Sequence, residues 1–229
     1  MTIAKDVVTT ALNFTGTDYT ISHAGAASMQ GVLVGIVQGD TSDDTITGVT
    51  HAGAALTEIG SSPFISTGDE GATIYWYFKG SSITGGTQDV IVATATSRRR
   101  QTVVISFTAA ADMEFNTEST PIDSNSLDDP SGSIALGSVT SYVIQGFMTG
   151  LSAVTNVDVI TGWSVVTEGD FGSQCGCFYD YDTIASSDVT TGYTSTSADN
   201  VYLVAISLNE AAGGGGDGFT NSLSMMGVG

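Results

Sequence analysis

Cations are scarce in this sequence. Lys and Arg together number 5 among 229 residues, against 24 Asp and Glu, which gives a formal net charge of −19. Clustered cations are what bind phosphate backbones and anionic lipid surfaces, so the composition argues against nucleic acid and membrane as partners. The acidity instead favours solubility at high protein density, or docking onto a basic surface.

Cysteine is also scarce, with Cys175 and Cys177 as the only two. Two thiols do not complete a structural zinc site, which takes four ligands, and a disulfide across one residue would close a strained ring. Alternate residues of a strand point to the same face. We therefore expect two reduced, partly buried thiols, with redox or metal chemistry as the alternative.

Long apolar runs and helix-forming segments are missing as well. No apolar stretch reaches the roughly 18 residues of a membrane-spanning helix, no Lys/Glu-rich helical face is found, and no secretory signal peptide is recognisable. Catalytic signatures such as a nucleophile elbow or a metalloprotease helix are absent too. These absences lead us to expect a protein that is not an enzyme and carries no cofactor.

What the sequence does contain is a series of short strand-like runs separated by turn signals. The runs lie at 32–37, 45–50, 55–59, 73–78, 89–94 and 102–107, and then at 133–136, 141–148, 163–168, 175–182 and 201–208. This spacing predicts an all-β protein, an antiparallel β-sandwich of jelly-roll-like type. We expect the polar interval 116–132 to be a long connection crossing one sandwich, with a domain boundary as the alternative.

The two ends of the chain differ from the middle. Residues 1–20 carry a weak strand pattern and predict an N-terminal arm or edge strand, before a sandwich domain over residues 21–210. Residues 211–229 begin with a Gly-rich stretch and predict a C-terminal arm. The apolar side chains of that arm suggest docking on a neighbouring subunit through Phe219, Leu223, Met225 and Met226, with a loosely packed terminus as the alternative.

Three of the five basic residues form one cluster, Arg98-Arg99-Arg100. One interpretation is a turn whose arginines pair with local carboxylates. The other is a clamp onto a neighbouring subunit, because guanidinium groups bind carboxylates with two hydrogen bonds. We predict a subunit contact at these three residues.

Acidic clusters and the two histidines are the candidates for metal or catalytic sites. Asp40, Asp43 and Asp44 share one loop, and calcium favours several oxygen ligands in a loop. This is the best of the metal options, although solvated turn acids are the expectation. His23 and His51 each begin the tetrapeptide His-Ala-Gly-Ala, which we interpret as a turn entering a strand.

The order of the strands resembles a β-sandwich module that is widespread in phage structural proteins and bacterial surface proteins. The resemblance covers roughly residues 30–210 and departs from the usual Tyr-Gly at His51-Ala52. It rests on five stretches, namely Val32-Leu33-Val34-Gly35-Ile36-Val37, Val49-Thr50-His51-Ala52-Gly53, Ile74-Tyr75-Trp76-Tyr77-Phe78, Val90-Ile91-Val92 and Val201-Tyr202-Leu203-Val204-Ala205-Ile206-Ser207-Leu208.

The resemblance implies a jelly-roll-like sandwich with a virion or surface role. The compact sandwich, the absence of catalytic signatures, the apolar tail and the acidity lead us to expect, most specifically, a bacteriophage capsid decoration (cement) protein on the outer surface of the virion, assembled in the host cytoplasm. Its partners would be the major capsid protein and copies of itself, for example as a homotrimer. The alternative is a tail or fibre module that binds host glycans. Exposed rings and loop acids would carry that activity, with Trp163, Tyr179, Tyr181 and Tyr193 as candidates, although core packing is the expectation for each ring.

Overall fold

The computed structural model describes residues 3–13, 18–39, 43–67, 71–137, 139–150, 157–172 and 174–211, which form 19 β-strands without a helix. None of these residues therefore belongs to a helix that could cross a membrane. The strands of the first half are β1 (Ala4–Asn13), β2 (Tyr19–Gly25), β3 (Gly31–Gln38), β4 (Ile46–His51), β5 (Ala54–Ala55), β6 (Thr57–Glu58), β7 (Phe64–Ile65), β8 (Thr73–Lys79), β9 (Gly86–Thr94) and β10 (Arg100–Thr108). Those of the second half are β11 (Met113–Glu118), β12 (Ile122–Leu127), β13 (Ser131–Ile134), β14 (Ser141–Thr149), β15 (Val157–Val159), β16 (Trp163–Asp170), β17 (Cys175–Tyr181), β18 (Val189–Ser195) and β19 (Asp199–Glu210).

These strands build four antiparallel sheets, two from each half of the chain. Inner sheet 1 has the order β1-β10-β3-β8-β6, with β7 also paired to β8, and outer sheet 1 has the order β2-β9-β4-β5. Inner sheet 2 has the order β11-β19-β14-β17-β16, with β12 also paired to β19, and outer sheet 2 has the order β13-β18-β15. The predicted class, an antiparallel all-β sandwich, is confirmed.

The four sheets are stacked with three apolar cores between them. The first core lies between outer sheet 1 and inner sheet 1, and the third between inner sheet 2 and outer sheet 2. The central core joins the two inner sheets and contains side chains such as Trp76, Phe107, Phe178 and Ile206. Each inner sheet is thus covered on both faces, which explains why β3 and β14 are buried at every position and read as continuous apolar runs.

The second half repeats the strand order of the first. Strands β1, β10, β3, β8 and β6 hold the same places in inner sheet 1 that β11, β19, β14, β17 and β16 hold in inner sheet 2. In the same way β2-β9-β4 of outer sheet 1 corresponds to β13-β18-β15 of outer sheet 2. The chain is therefore an internally duplicated pair of sandwiches.

Residues can be matched between the halves through the strand register. Gly35 of β3 lies opposite Trp76 of β8, and Gly146 of β14 lies opposite Phe178 of β17. In the next strands, Val103 lies opposite Gly35 and Val204 lies opposite Gly146. Val103-Val104-Ile105-Ser106-Phe107 thereby matches Val204-Ala205-Ile206-Ser207-Leu208.

The two halves pack face to face as if related by a two-fold axis. Strand β3 contacts its counterpart β14, and β1 contacts β16 at one side of the stack. At the opposite side the counterpart of β1 meets the turn that follows β6, where Glu118 of β11 accepts hydrogen bonds from the Ser61 amide at 2.8 Å and its hydroxyl at 2.5 Å. The sandwiches thus form the equivalent of a two-fold dimer within one chain.

The structure refines two expectations about the organisation of the chain. The polar interval 116–132, predicted above as a connection, contains the end of β11, all of β12 and the beginning of β13. The Ser, Asn and Asp residues of this interval form strands because β11 and β12 pair with β19 at the edge of inner sheet 2. Strand β19 is buried and supplies the apolar packing that these polar residues lack. The predicted N-terminal arm or edge strand includes β1, which pairs with β10 at the edge of inner sheet 1. Of the predicted C-terminal arm, only Ala211 lies within the described residues.

We expect Gly35→Ala to destabilise the protein by about 1–3 kcal/mol, the usual range for overpacking a core. A Cβ at Gly35 would lie 2.6 Å from Cζ3 of Trp76 and 2.7 Å from Cε1 of Phe178, so both rings would have to move. Gly48→Ala is the matched control, because a Cβ there meets nothing within 4 Å. Urea unfolding of the two variants measures the difference, and equal midpoints would contradict the importance of this contact.

Candidate functional site

A cleft lies at the seam where β1 of the first half meets the second half. It encloses about 230 Å³ and is lined by Lys5, Tyr142, Ser164, Asp180, Tyr181, Asp182, Thr183 and Ile184. Lys5 comes from β1, and the other residues come from β14, β16, β17 and the turn that follows β17. We call this site the seam cleft.

A buried carboxylate forms the floor of the seam cleft. The side chain of Asp180 is 5% exposed and that of Lys5 is 39% exposed, and the Lys5 ammonium donates a hydrogen bond to Oδ2 of Asp180. The Tyr142 hydroxyl donates to the same oxygen at 3.0 Å. Burial, together with the neighbouring Asp180 charge, raises the pKa of Tyr142 well above its usual value, so this hydroxyl remains a donor at neutral pH.

The rim of the seam cleft combines polar and apolar groups. The Ser164 hydroxyl donates a hydrogen bond to Oδ1 of Asp182. The Tyr181 ring meets the Trp163 ring edge to face, with centroids 5.6 Å apart. A Cβ on Gly162, whose φ is +89°, would lie 2.8 Å from the Tyr181 ring, so this glycine lets the ring pack against the backbone. The Tyr181 ring thus packs against the core beneath outer sheet 2, on the face of β17 opposite to Asp180. Ile184, which is 36% exposed, is the apolar side chain at the rim.

The equivalent place at the opposite side of the stack is apolar. Strand register matches Lys5 with Phe115, because they lie opposite Phe107 and Leu208 respectively. It also matches Asp180 with Phe78, and Tyr142 with Gly31. Phe78 belongs to the central core and Phe115 packs against it, while a Cβ at Gly31 would lie 2.9 Å from Sδ of Met113. The architecture therefore accommodates apolar residues at the position where the seam cleft has a charged and hydroxylated floor.

The predicted arginine contact divides into two parts. Arg100 is fully buried, and its guanidinium donates to Oε1 of Gln38 at 3.0 Å, to Oγ1 of Thr45 at 2.9 Å and to the carbonyl of Thr96 at 2.8 Å. These acceptors are neutral, and Arg100 presents no surface to a neighbouring subunit. The first residue of β10 faces the interior, which a run of three arginines does not reveal. Arg98 and Arg99 are partly exposed, and a contact through them stays a prediction.

Several other predicted residues fall outside the part of the chain that the structure describes. Phe219, Leu223, Met225 and Met226 belong to this group, and so does Asp40. Asp43 and Asp44 are exposed, and the carbonyl of Asp43 accepts a hydrogen bond from Nε2 of Gln38 at 3.0 Å. Within the described residues no three His, Cys, Asp or Glu side chains are grouped as a metal ion would require.

Most of the rings proposed for glycan binding are interior. Trp163, Tyr179 and Tyr193 are buried in the core beneath outer sheet 2. The Tyr179 hydroxyl donates to Oε1 of Glu168 at 2.7 Å, and the indole of Trp163 donates to the carbonyl of Thr190 at 2.9 Å. Tyr181 alone of the four lines the seam cleft, so these rings do not form an exposed cluster.

The two cysteines are free and buried on the same face of β17, in the core beneath outer sheet 2. Burial, with smaller contributions from Asp170 and Glu168, raises the pKa of the Cys175 thiol to about 12. Burial also raises the pKa of the Cys177 thiol. Both sulfurs are therefore protonated at neutral pH and pack as small apolar groups.

The two histidines lie in the first core, His23 on β2 and His51 on β4, which are the two strands that flank β9. Oγ1 of Thr9 is 2.9 Å from Nδ1 of His23, whereas Nε2 of neither histidine has a hydrogen-bond partner in the described part of the chain. Burial lowers the pKa of both rings, reinforced for His23 by the nearby His51 and for His51 by Lys79. The predicted turn is found after His51, where Ala52 and Gly53 have positive φ, while the first tetrapeptide ends β2.

Comparison with known proteins adds no relative: no protein-family model matches the chain, and no curated protein matches it either.

We expect stability to fall as the pH drops below about 6.5. Because folding lowers the pKa of His23 and His51, the unfolded chain binds protons first, and each unit of lowering corresponds to about 1.4 kcal/mol per histidine. Urea unfolding at about pH 7 and about pH 5 measures the loss. A His23→Gln/His51→Gln variant should lose less over the same interval, and an equal loss would assign the effect to other groups.

We expect Lys5→Met to cost about 1–2 kcal/mol, because it leaves the Asp180 carboxylate without its cation while water reaches the exposed part of Lys5. The triple variant Lys5→Met/Tyr142→Phe/Asp180→Leu should regain wild-type stability to within about 1 kcal/mol, since an apolar cluster can replace a buried ion pair. Urea unfolding measures both. A triple variant less stable than Lys5→Met would show that the fold needs the polar floor.

Proposed function

We propose that the chain is a non-enzymatic structural protein of a bacteriophage particle, most specifically a capsid decoration (cement) protein on its outer surface. The observation that carries the proposal is the duplicated stack, which places a polar outer sheet on each of two opposite sides of one continuous body. A protein that bridges subunits needs stiffness between two contact faces, and the three apolar cores supply it.

The two outer faces have the composition expected of contact with a hydrated protein surface. Many exposed side chains on them are small and polar, for example Thr20, Ser22 and Asp89 on outer sheet 1, and Ser131, Ser133 and Thr190 on outer sheet 2. Ile91 and Val159 are exposed apolar side chains on the same two sheets. The net charge of −19 favours a partner whose outer surface is basic. We propose the major capsid protein as that partner, with self-association, for example as a homotrimer, placing several copies around one lattice position.

The strand order of each half supports the predicted jelly-roll type. Inner sheet 1 contains the order β1-β10-β3-β8, and outer sheet 1 the order β2-β9-β4-β5, which is the connectivity of two interlocked Greek keys. The second half repeats this connectivity with β11, β19, β14 and β17. We infer a tandem pair of jelly-roll-like sandwiches, in agreement with the phage-type module that the strand series resembles.

The alternative, a tail or fibre module for host glycans, rested on four aromatic rings that would need to be exposed. Three of its four candidate rings are buried. A sugar site on this protein would therefore have to use other residues, and its presence is independent of whether the protein decorates a capsid.

We expect the purified protein to bind undecorated capsids of the parent phage saturably and at regular lattice positions. Cosedimentation gives the stoichiometry, and electron cryomicroscopy gives the positions. Variants ending at Ala211 or carrying Arg98→Ser/Arg99→Ser test the two predicted contacts, and each should weaken binding if its contact is used. Lys79→Gln, which removes a cation from the end of β8, serves as the control.

The absence of capsid binding at micromolar protein would contradict the decoration proposal. Binding that is neither saturable nor periodic would do the same, because a cement protein acts at defined seams of the lattice.

A further inference from the structure

The seam cleft has the size of a site for one small ligand. Its volume of about 230 Å³ lies just below the roughly 300 Å³ at which pockets for drug-sized molecules begin. One residue of a longer chain molecule would fit, with the rest of that molecule outside. The exposed residues Ser164, Asp182, Thr183 and Ile184 border the opening.

The equivalent place at the other side of the stack is built without charged groups. At the opposite side of the stack, Phe78, Phe115 and Gly31 stand at the positions equivalent to Asp180, Lys5 and Tyr142. A buried carboxylate and its cation contribute little or negatively to stability compared with apolar residues of similar volume. Their presence on one side only therefore indicates a role other than holding the sheets together.

The charges of the seam cleft select the class of ligand. One ammonium, on Lys5, stands against two carboxylates, on Asp180 and Asp182, in a chain of net charge −19. An anionic ligand is disfavoured by this balance, and a cationic one would have to compete with Lys5 for Asp180. A neutral ligand that both donates and accepts hydrogen bonds can use the Lys5 ammonium and the carboxylates together.

The apolar part of the lining narrows the class further. Ile184, which is 36% exposed, presents an apolar side chain at the border of the opening. Polar groups that converge next to an apolar side chain are the usual lining of a small-molecule site. Sugar rings match it, because they carry hydroxyl groups around their edge and C–H groups on their faces.

We propose that the seam cleft binds one neutral sugar residue of a glycan, whose hydroxyl groups bond to Lys5 and to the Asp180 and Asp182 carboxylates while its C–H groups pack on Ile184. The site is completed only when the first half contributes Lys5, so it belongs to the assembled stack. This inference goes beyond the capsid role and does not depend on it.

The test is saturation-transfer NMR on the full chain with free neutral monosaccharides: glucose, galactose, mannose and N-acetylglucosamine. Sialic acid and glucosamine serve as the anionic and cationic comparators. We expect at least one neutral sugar to bind saturably with a millimolar Kd and to outcompete both charged sugars, because so small a contact area supports only weak affinity. Oligosaccharides ending in that sugar, tested next, distinguish a free sugar from a glycan.

Variants locate the site. Lys5→Met and Ile184→Ser should each weaken binding of the preferred sugar about tenfold or more, and the triple variant Lys5→Met/Tyr142→Phe/Asp180→Leu should abolish it while urea unfolding shows a folded protein. Lys79→Met, which removes a cation outside the seam cleft, should leave the Kd unchanged.

Three results would overturn the proposal. They are no saturable binding of any neutral sugar at millimolar concentrations, unchanged binding by the folded triple variant, and preference for the anionic or cationic comparator. Capsid cosedimentation is measured separately, so failure of the sugar site leaves the decoration proposal standing, and the reverse holds as well.

Discussion

The packing of two glycine-containing strands against two aromatic rings is the contact on which the stack depends. Gly35 and Gly146 leave the space in which the Trp76 and Phe178 rings meet edge to face, with centroids 5.5 Å apart. Any side chain on either glycine would push these rings out of the interface. If the inner sheets did not meet there, each half would expose the apolar face that the central core now covers, so neither sandwich is complete without the other.

Burial of both inner sheets on two faces also decides how polar groups are used. Gln145 in β14 donates to the carbonyl of Gly192 at 2.6 Å and accepts from its amide at 2.9 Å, joining inner sheet 2 to outer sheet 2. Arg100 plays a comparable part in the first half through Gln38 and Thr45. Such groups are tolerated in the interior because they are hydrogen-bonded. Their hydrogen bonds join the layers of this chain to one another and are not directed at a binding partner.

Strand class was predictable from the sequence, whereas the duplication and the seam were not. Turn residues and short apolar runs mark most strands, including the aromatic run at Trp76 and the one ending at Leu208. The halves match in shape and not in identity, with Trp76 against Phe178, and the segment between Gly35 and Trp76 is longer than that between Gly146 and Phe178. The sequence therefore has no fixed repeat length from which the duplication could be recognised. The seam cleft could not be predicted for a similar reason, because Lys5 and Asp180 are 175 residues apart in the sequence. Of the residues that line it, only Tyr181 is among the sequence-based candidates for binding.

The duplication makes the protein its own comparison. Two halves under the same packing constraint should fill equivalent places in equivalent ways, and at the centre of the stack they do, with a glycine and a ring from each. At the seam they differ, since one side is closed by Phe78 and Phe115 and the other holds the Asp180 carboxylate between Lys5 and Tyr142. A charged floor costs desolvation energy that a phenylalanine does not, and it draws on one of only five cations in the chain. The departure from symmetry therefore marks the place where the chain has kept a surface for recognition at the expense of packing.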